Sequence, residues 1–200
     1  MERFNLPQRL VILDNGNPLT DTIVNKARMQ NILSFSVIVE ALLQGRLRRD
    51  DGVLIVDNDI PSSCEMVEKV VGAIGSSPAL RSIKQWTDEL CVQIPFYLHI
   101  RGYLLKEGIL QKEKKKILGF PYRGRYLLND QRLVTRYLKH LEQNMDPEHP
   151  DIRDLLILIF ISNTRLREIS FVSIDVDEYL KKIHLGDDTL KEVIQIAKHI

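Results

Sequence analysis

The sequence predicts a mainly α-helical protein with small β elements, and the central observation is a helix that is apolar on more than one face. Residues 37–43 are almost wholly apolar, and Ile32, Leu33 and Phe35 precede them. A helix at a protein surface keeps one polar side, so this pattern is typical of a helix buried in the middle of a domain. The β-branched run Val53–Val56 follows soon after it and predicts a short strand.

The central helix is predicted to end at Gly45. Glycine adopts the left-handed conformation of a helix cap at little cost, and Arg46 then lies at the negative end of the helix dipole. Because no face of this helix is polar, we expect four of its side chains to be almost fully buried: Val37, Ile38, Ala41 and Leu42.

Helical periodicity dominates the rest of the chain. Start and stop signals include Pro95, a good first-turn residue, and Gly108, a good helix cap. Three of the predicted helices are given by their bounds: 95–107, 152–161 and 176–183. The others are given by the apolar residues of one face: the first in the chain by Met66, Val67, Val70, Val71 and Ile74, and the second by Leu80, Ile83, Trp86 and Leu90. The helix after 95–107 is given by Leu133, Val134, Tyr137, Leu138 and Leu141, and the last one by Leu190, Val193, Ile194, Ala197 and Ile200.

A β-hairpin is predicted between the third and fourth of these helices. Its strands are residues 115–120 and 125–128, and the turn-like cluster 121–124 separates them. The expected fold is therefore a helical bundle with a short strand after the core helix and a β-hairpin. No repeat or long linker divides the chain, so we expect one domain over residues 1–200.

Composition restricts the class of protein. A chain of 200 residues that is 44% hydrophobic can bury a sizeable core, and its net charge of +1 argues against a strongly polyanion-seeking protein. Cys64 and Cys91 match no zinc or redox motif, which favours free thiols in a reducing compartment such as the cytoplasm. The longest apolar run, residues 155–161, is far shorter than a bilayer span. Any membrane contact is expected to be peripheral.

No motif in the chain predicts catalysis, a cofactor or a metal site. We find no glycine-rich phosphate loop, no H-E-x-x-H and no G-x-S-x-G. The paired carboxylates Asp57/Asp59 and Asp175/Asp177 are better explained as helix caps. The histidines lack the spacing that presents two metal ligands on one helix; they are His99, His140, His149, His184 and His199. We therefore expect a protein that is not an enzyme.

The predicted hairpin is unusually basic. Within fourteen residues only Glu113 opposes six cations: Lys112, Lys114, Lys115, Lys116, Arg123 and Arg125. One explanation is a solvated strand edge whose lysines discourage unwanted pairing. The other is a contact for anionic phosphates, either of a lipid headgroup or of nucleic acid.

The helix 95–107 followed by a basic hairpin has the form of a winged helix. In that arrangement the helix enters the major groove of DNA and the hairpin flanks it on the phosphate backbone. The helix is very apolar, however, and only His99, Arg101 and Lys106 could address bases or phosphates. Nucleic-acid binding is therefore the alternative prediction.

The order of elements resembles the Golgi phosphoprotein 3 family (GPP34 domain) over about residues 8–200. The resemblance is carried by Leu10–Asp14, by E-A-L-L-Q-G-R-L ending at Leu47, by the strand Val53–Val56 and by Y-L-L-K-E-G-I-L ending at Leu110. The opening Asp59-Ile60-Pro61-Ser62, the helix of Trp86, the hairpin and the apolar helix 154–161 follow the same order. The chain is similar to short prokaryotic-type members.

The resemblance implies a non-enzymatic peripheral membrane protein that binds phosphatidylinositol 4-phosphate or another anionic lipid headgroup. In the family, a tryptophan and an arginine before the core helix and an R-x-x-R pair before the hairpin form the headgroup pocket. These positions match Asn25, Ser34, Ile94 and Tyr97, so none of the family's residues is retained. The nearby cations that could replace them are Lys26, Arg28, His99 and Arg101.

The resemblance also implies self-association through the hairpin. The segment 115–128 holds too many apolar groups for an exposed two-stranded ribbon, and those we expect at a contact between copies are Ile117, Phe120, Tyr122 and Tyr126. We therefore expect a homo-oligomer. A third possibility is a protein of this fold that has lost anion binding and acts through protein contacts.

Overall fold

Helices make up most of the chain, as the apolar periodicity predicts. A computed structural model describes residues 3–16, 26–58, 61–113, 116–117, 120–121, 125–163, 175–183 and 186–200. Within these ranges the helices are α1 Leu6–Asn15, α2 Lys26–Leu43, α3 Glu65–Ser76, α4 Ile83–Gln93, α5 Phe96–Lys106, α6 Arg132–Asn144, α7 Ile152–Asn163, α8 Val176–Lys182 and α9 Asp188–His199. The mainly α fold class is confirmed.

The described strands form antiparallel pairs. Strand β1 (Leu47–Asp50) pairs with β2 (Val53–Val56), and β3 (Leu110–Glu113) pairs with β6 (Arg125–Leu128). The two-residue strands β4 (Lys116–Ile117) and β5 (Phe120–Pro121) pair with each other. The hairpin thus begins at Leu110, five residues before the predicted start.

Helix α2 occupies the middle of the fold. Every residue from 32 to 41 is buried, and the helix packs against α1, α3, α4 and α5. Its Phe35 ring meets Phe160 of α7 edge to face, with the ring centroids 6.1 Å apart. The predicted burial of Val37, Ile38 and Ala41 is confirmed. Leu42 is only half-buried because it lies in the last turn, where the helix leaves the core, so that part of the prediction is wrong.

Glycine ends two helices as the sequence indicates. Gly45 has a φ of +66°, and the N–H of Arg46 donates to the carbonyl of Ala41 over 2.9 Å. Gly108 has a φ of +67° and closes α5 in the same way. A left-handed residue just after a helix lets the next N–H groups bond to the last carbonyls of the helix, which would otherwise be unpaired. Glycine adopts this conformation at the lowest cost.

A buried carboxylate joins three helices that are far apart in sequence. Glu40 of α2 accepts hydrogen bonds from the N–H of Leu6 (3.1 Å) and from the Nε and Nη2 of Arg153 in α7 (3.0 and 2.8 Å). Next to it, Arg9 of α1 donates to Asp154 of α7 over 2.6 Å. Buried charges need such partners, so these ion pairs fix how α1, α2 and α7 dock.

Three local features differ from the prediction or go beyond it. Helix α1 is a regular helix with a capping box in which Asn5 and Gln8 exchange hydrogen bonds. Strand β1 was not predicted, although Asp51 and Gly52 both have positive φ and form a tight hairpin turn. Leu80 was expected on the helix of Trp86, but Ser82 caps that helix and leaves Leu80 exposed outside it.

Both cysteines are free thiols, as predicted.

Candidate functional site

The predicted headgroup site and the basic hairpin both depend on α5. The buried face of α5 carries Phe96, Ile100 and Leu104. Two large apolar groups of α5 are exposed: Leu98 lies on the opposite face, and Tyr103 lies at the edge of the buried face. The helix is therefore only partly buried, although its sequence is very apolar.

Helix α2 holds the start of α5 through one amide side chain. The Gln30 Oε1 accepts from the backbone N–H of Tyr97 over 3.2 Å. The Gln30 Nε2 donates to the carbonyls of Ile94 and Cys91. This bridge places the two positions that match the family's arginine pair directly beside α2.

The residues at the matched pocket positions take part in the packing of the fold. Ser34 is fully buried, and its hydroxyl donates to the carbonyl of Thr87 over 3.0 Å. Ile94 is half-buried against the core. Asn25 lies outside the described residues.

The fourth matched position, Tyr97, is part of a polar cluster with α1. The Tyr97 hydroxyl donates to Asp14 Oδ2 over 2.5 Å and accepts from Asn15 Nδ2 over 3.1 Å. Burial raises the pKa of Asp14, although the hydrogen bond from Tyr97 and the nearby Arg101 both act to lower it. Burial and the Asp14 carboxylate raise the pKa of Tyr97 far above its usual range, so it keeps its proton. This cluster fixes the Tyr97 ring.

Arg101 lies between two tyrosine rings. Its Cζ is 5.2 Å from the ring centroid of Tyr97 and 4.0 Å from that of Tyr126 on β6. Both distances are within the range of a cation–π contact. The guanidinium therefore connects α5 with the hairpin.

The structure does not bring the four candidate headgroup residues together. Lys26 is exposed at the start of α2, and the Nε of Arg28 donates to the carbonyl of Ile200 over 3.0 Å. His99 and Arg101 are two residues apart on α5, a spacing that places them on nearly opposite faces. His99 is exposed and close enough to Glu65 to help lower the pKa of that carboxyl, after the larger effect of Lys69.

The hairpin is anchored at its base and carries its charges further along the chain. Leu110 and Leu128 are opposite each other and buried, and the Asn129 side chain donates to the Gly108 carbonyl over 2.5 Å. Outward from that pair, Lys112 is opposite Tyr126 and is exposed.

The remaining residues predicted for the hairpin are described only in part. The backbones of Lys116, Ile117, Phe120 and Arg125 lie on strands β4, β5 and β6. Lys114, Lys115, Tyr122 and Arg123 lie outside the described residues. Tyr126, expected at a contact between copies, is half-buried under Arg101 of its own chain.

The roles of Asp14 and Gln30 could not be predicted from the motifs of the chain. Asp14 ends the apolar run 10–13, and a carboxylate at that point is a signal for a buried polar contact. Gln30 is a polar residue two positions before Ile32, where the apolar part of α2 begins, and it gives no comparable signal. Within the described ranges, no group of three or more histidine, cysteine, aspartate or glutamate residues could hold a metal ion. In the same ranges, no helix is long and apolar enough to span a membrane.

The structure is that of a mainly α protein with a central buried helix. A second helix ends at a left-handed glycine, and a hairpin is anchored next to it, in the order of elements that the family resemblance implies. The chain matches the family Golgi phosphoprotein 3 (GPP34) over residues 6–196, so it belongs to this family. No curated protein matches the sequence.

Proposed function

We propose that this protein binds anionic lipid headgroups at a membrane surface, and that the basic hairpin makes the contact. The observation that carries the proposal is the combination of a ribbon anchored by Leu110 and Leu128 with a run of cations between its two ends. Membership in the Golgi phosphoprotein 3 family supports it. The proposed activity is binding and includes no catalytic step.

The charge of the segment fits this role. Five of its six cations fall between Glu113 and Arg125 in the sequence, Arg125 included, and Glu113 is the acidic residue of that stretch. Each basic residue near an anionic surface contributes about 1 kcal/mol, and the contribution falls off within a Debye length. Several weak contacts of this kind give reversible, salt-sensitive binding.

Specific recognition of phosphatidylinositol 4-phosphate is the finer form of the proposal. It would need donors that converge on one phosphate, and arginine forks supply these best. Arg28 and Arg101 are each engaged elsewhere in the fold, and Ser34 is buried. We therefore propose that surface charge contributes more to binding than a headgroup pocket does.

Vesicle flotation tests the proposal. The full chain is mixed with vesicles of phosphatidylcholine alone, of phosphatidylcholine with phosphatidylserine, and of phosphatidylcholine with phosphatidylinositol 4-phosphate at matched surface charge. We expect binding to both anionic preparations and none to the neutral one. Reversal of Lys114, Lys115 and Lys116 to glutamate should weaken binding by about 100-fold or more, since three favourable contacts are lost.

A charge-matched variant controls for the change in net charge. Lys139, Lys181 and Lys198 are exposed on α6, α8 and α9, away from the hairpin in sequence, and their reversal to glutamate should leave most of the binding intact. Equal losses in the two triple variants would show that overall charge, not the hairpin, drives binding. Wild-type protein that ignores all three preparations at low salt would contradict the proposal. Retention on duplex DNA in place of vesicles would support the winged-helix alternative.

A further inference from the structure

The Arg101 guanidinium is the described group that joins the hairpin's outer part to the helical core. Its Cζ lies 4.0 Å from the Tyr126 ring centroid on β6 and 5.2 Å from the Tyr97 ring centroid on α5. A planar, weakly hydrated guanidinium stacks well on aromatic faces, better than a compact ammonium does.

One of the two rings is fixed by the core. The Tyr97 hydroxyl is hydrogen-bonded to Asp14 and Asn15 of α1, and its backbone N–H is bonded to Gln30 of α2. Asp14 also lies close enough to Arg101 for the guanidinium to act on its pKa. Two helices and a carboxylate therefore determine where the guanidinium lies.

The other ring lies on the hairpin, beyond its anchored base. Tyr126 and Leu128 are two positions apart on β6, so their side chains lie on the same face of the ribbon. Leu128 is buried opposite Leu110 at the base, and Tyr126 is opposite Lys112 two positions further out. The leucine pair, the contacts of β6 with α1 and those of β3 with α5 hold the base of the ribbon, and Tyr126 lies beyond the leucine pair.

Backbone hydrogen bonds hold the connection between α5 and β3, where the N–H of Ile109 donates to the Leu104 carbonyl over 2.9 Å. Gly108, with a φ of +67°, has no atom within 4 Å of where a Cβ would lie, so no side chain packs over the turn at that point. Further out than the leucine pair, the contact of Arg101 with Tyr126 ties β6 to α5 and resists rotation of the ribbon about its base.

We propose that Arg101 is a positioning residue: its stack between Tyr97 and Tyr126 sets the direction of the ribbon formed by β3 and β6, and so the direction in which the exposed Lys112 opposite Tyr126 meets an anionic lipid surface. This inference rests on the proposed function. A positioning residue differs from a headgroup ligand. As a positioning residue, Arg101 affects lipid binding only through Tyr126 and does not contact the lipid itself.

Hydrogen exchange of the full chain without lipid tests the positioning by itself. Arg101→Met, which keeps the length of the side chain but loses its charge, should speed exchange of the amides in β3 and β6 about threefold or more, the loss of one cation–π contact. Tyr126→Leu should have the same effect. Tyr126→Phe keeps the ring and should exchange like the wild type, and Arg101→Lys should be intermediate. Unchanged exchange in Arg101→Met and Tyr126→Leu would overturn the proposal.

Vesicle binding of the two single variants and the double variant tests whether the positioning matters. If Arg101 acts through Tyr126, the double variant Arg101→Met/Tyr126→Leu should bind anionic vesicles no more weakly than either single variant, a non-additive result. Losses that add would mean that Arg101 itself contacts the lipid, which would overturn the proposal. If the wild type does not bind vesicles, the proposed function fails while the exchange data still decide the role of the stack. Circular dichroism confirms that each variant is folded before either measurement.

Discussion

Glu40 shows how one buried residue links pH to stability. Burial by itself would raise the pKa of Glu40, but hydrogen bonds from Arg153, Gln44 and Leu6 outweigh it and the pKa is lowered below its ordinary value of 4.5. A lowered pKa means that the folded state prefers the carboxylate. The stability that Glu40 contributes is therefore fully present above pH 4.5 and is lost as the pH falls through the lower, folded-state pKa.

We expect Glu40→Gln to destabilise the fold by about 2–3 kcal/mol at neutral pH, because it leaves the partly buried Arg153 without a countercharge. The loss should shrink as the pH falls below 4.5, where the wild type also begins to lose this contribution. Urea unfolding at several pH values measures both effects.

Asp14→Asn provides the matched comparison. The pKa of Asp14 is raised above its ordinary value of 3.8, so this carboxyl favours the folded state less as the pH rises through that region. An asparagine oxygen can still accept from Tyr97, and we expect no loss of stability at neutral pH. Equal destabilisation by the two substitutions would contradict this account of the two carboxyls.

Gly16 allows a close approach between α1 and α6. A Cβ at this position would lie 2.5 Å from Val134 Cγ2 and 3.1 Å from Leu128 Cδ1. Valine is stiff at χ1 and cannot move aside easily, so Gly16→Ala should cost about 1–3 kcal/mol. Gly72→Ala on α3 meets no atom within 4 Å and should instead stabilise by up to about 1 kcal/mol, the difference in helix propensity. Thermal unfolding of both variants tests the contrast, and Val134→Ala should rescue Gly16→Ala.

At the scale of elements, apolar periodicity and the residues that start and stop helices predict the helices well. The predicted helix 95–107 is α5 extended by its two capping residues, and Gly45 ends α2 as expected. Strand β1 could have been found from Asp51-Gly52, a favoured two-residue hairpin turn, but the charged residues of β1 hid it. The hairpin start was misplaced because Leu110–Glu113 has one apolar residue, and pairing with β6 decides its structure.

Self-association through the hairpin is the prediction that belongs to this scale. Ile117 and Phe120 are opposite each other on β4 and β5, and a ribbon of this size is only marginally stable alone. Sedimentation velocity should show an oligomer of the wild type and a monomer after deletion of residues 119–125. A monomer in both cases at about 100 µM would exclude association stronger than roughly 5 kcal/mol and contradict the prediction. Ile117→Lys, which leaves the chain length unchanged, controls for the deletion.

At the scale of the whole molecule, the fold class could be predicted and the geometry of the site could not. Apolar faces specify which helices are buried, since burial follows from the side chains of one helix. Convergence of Lys26, Arg28, His99 and Arg101 depends instead on how helices dock. Arg28 bonds to the Ile200 carbonyl, 172 residues away along the chain, and no local pattern specifies that contact.

The Glu40–Arg153 pair also has a consequence for synthesis of the chain on the ribosome. Glu40 and the helix around it emerge early, whereas the guanidinium that neutralises Glu40 lies 113 residues later. Until α7 has been made, the nascent chain holds an apolar helix that has neither the Phe160 ring nor the partner of its charge. The part of the protein that precedes α7, residues 1–151, should therefore be prone to proteolysis. A released chain that ends at residue 151 should be protease-sensitive, and one that ends at residue 163 should be more resistant.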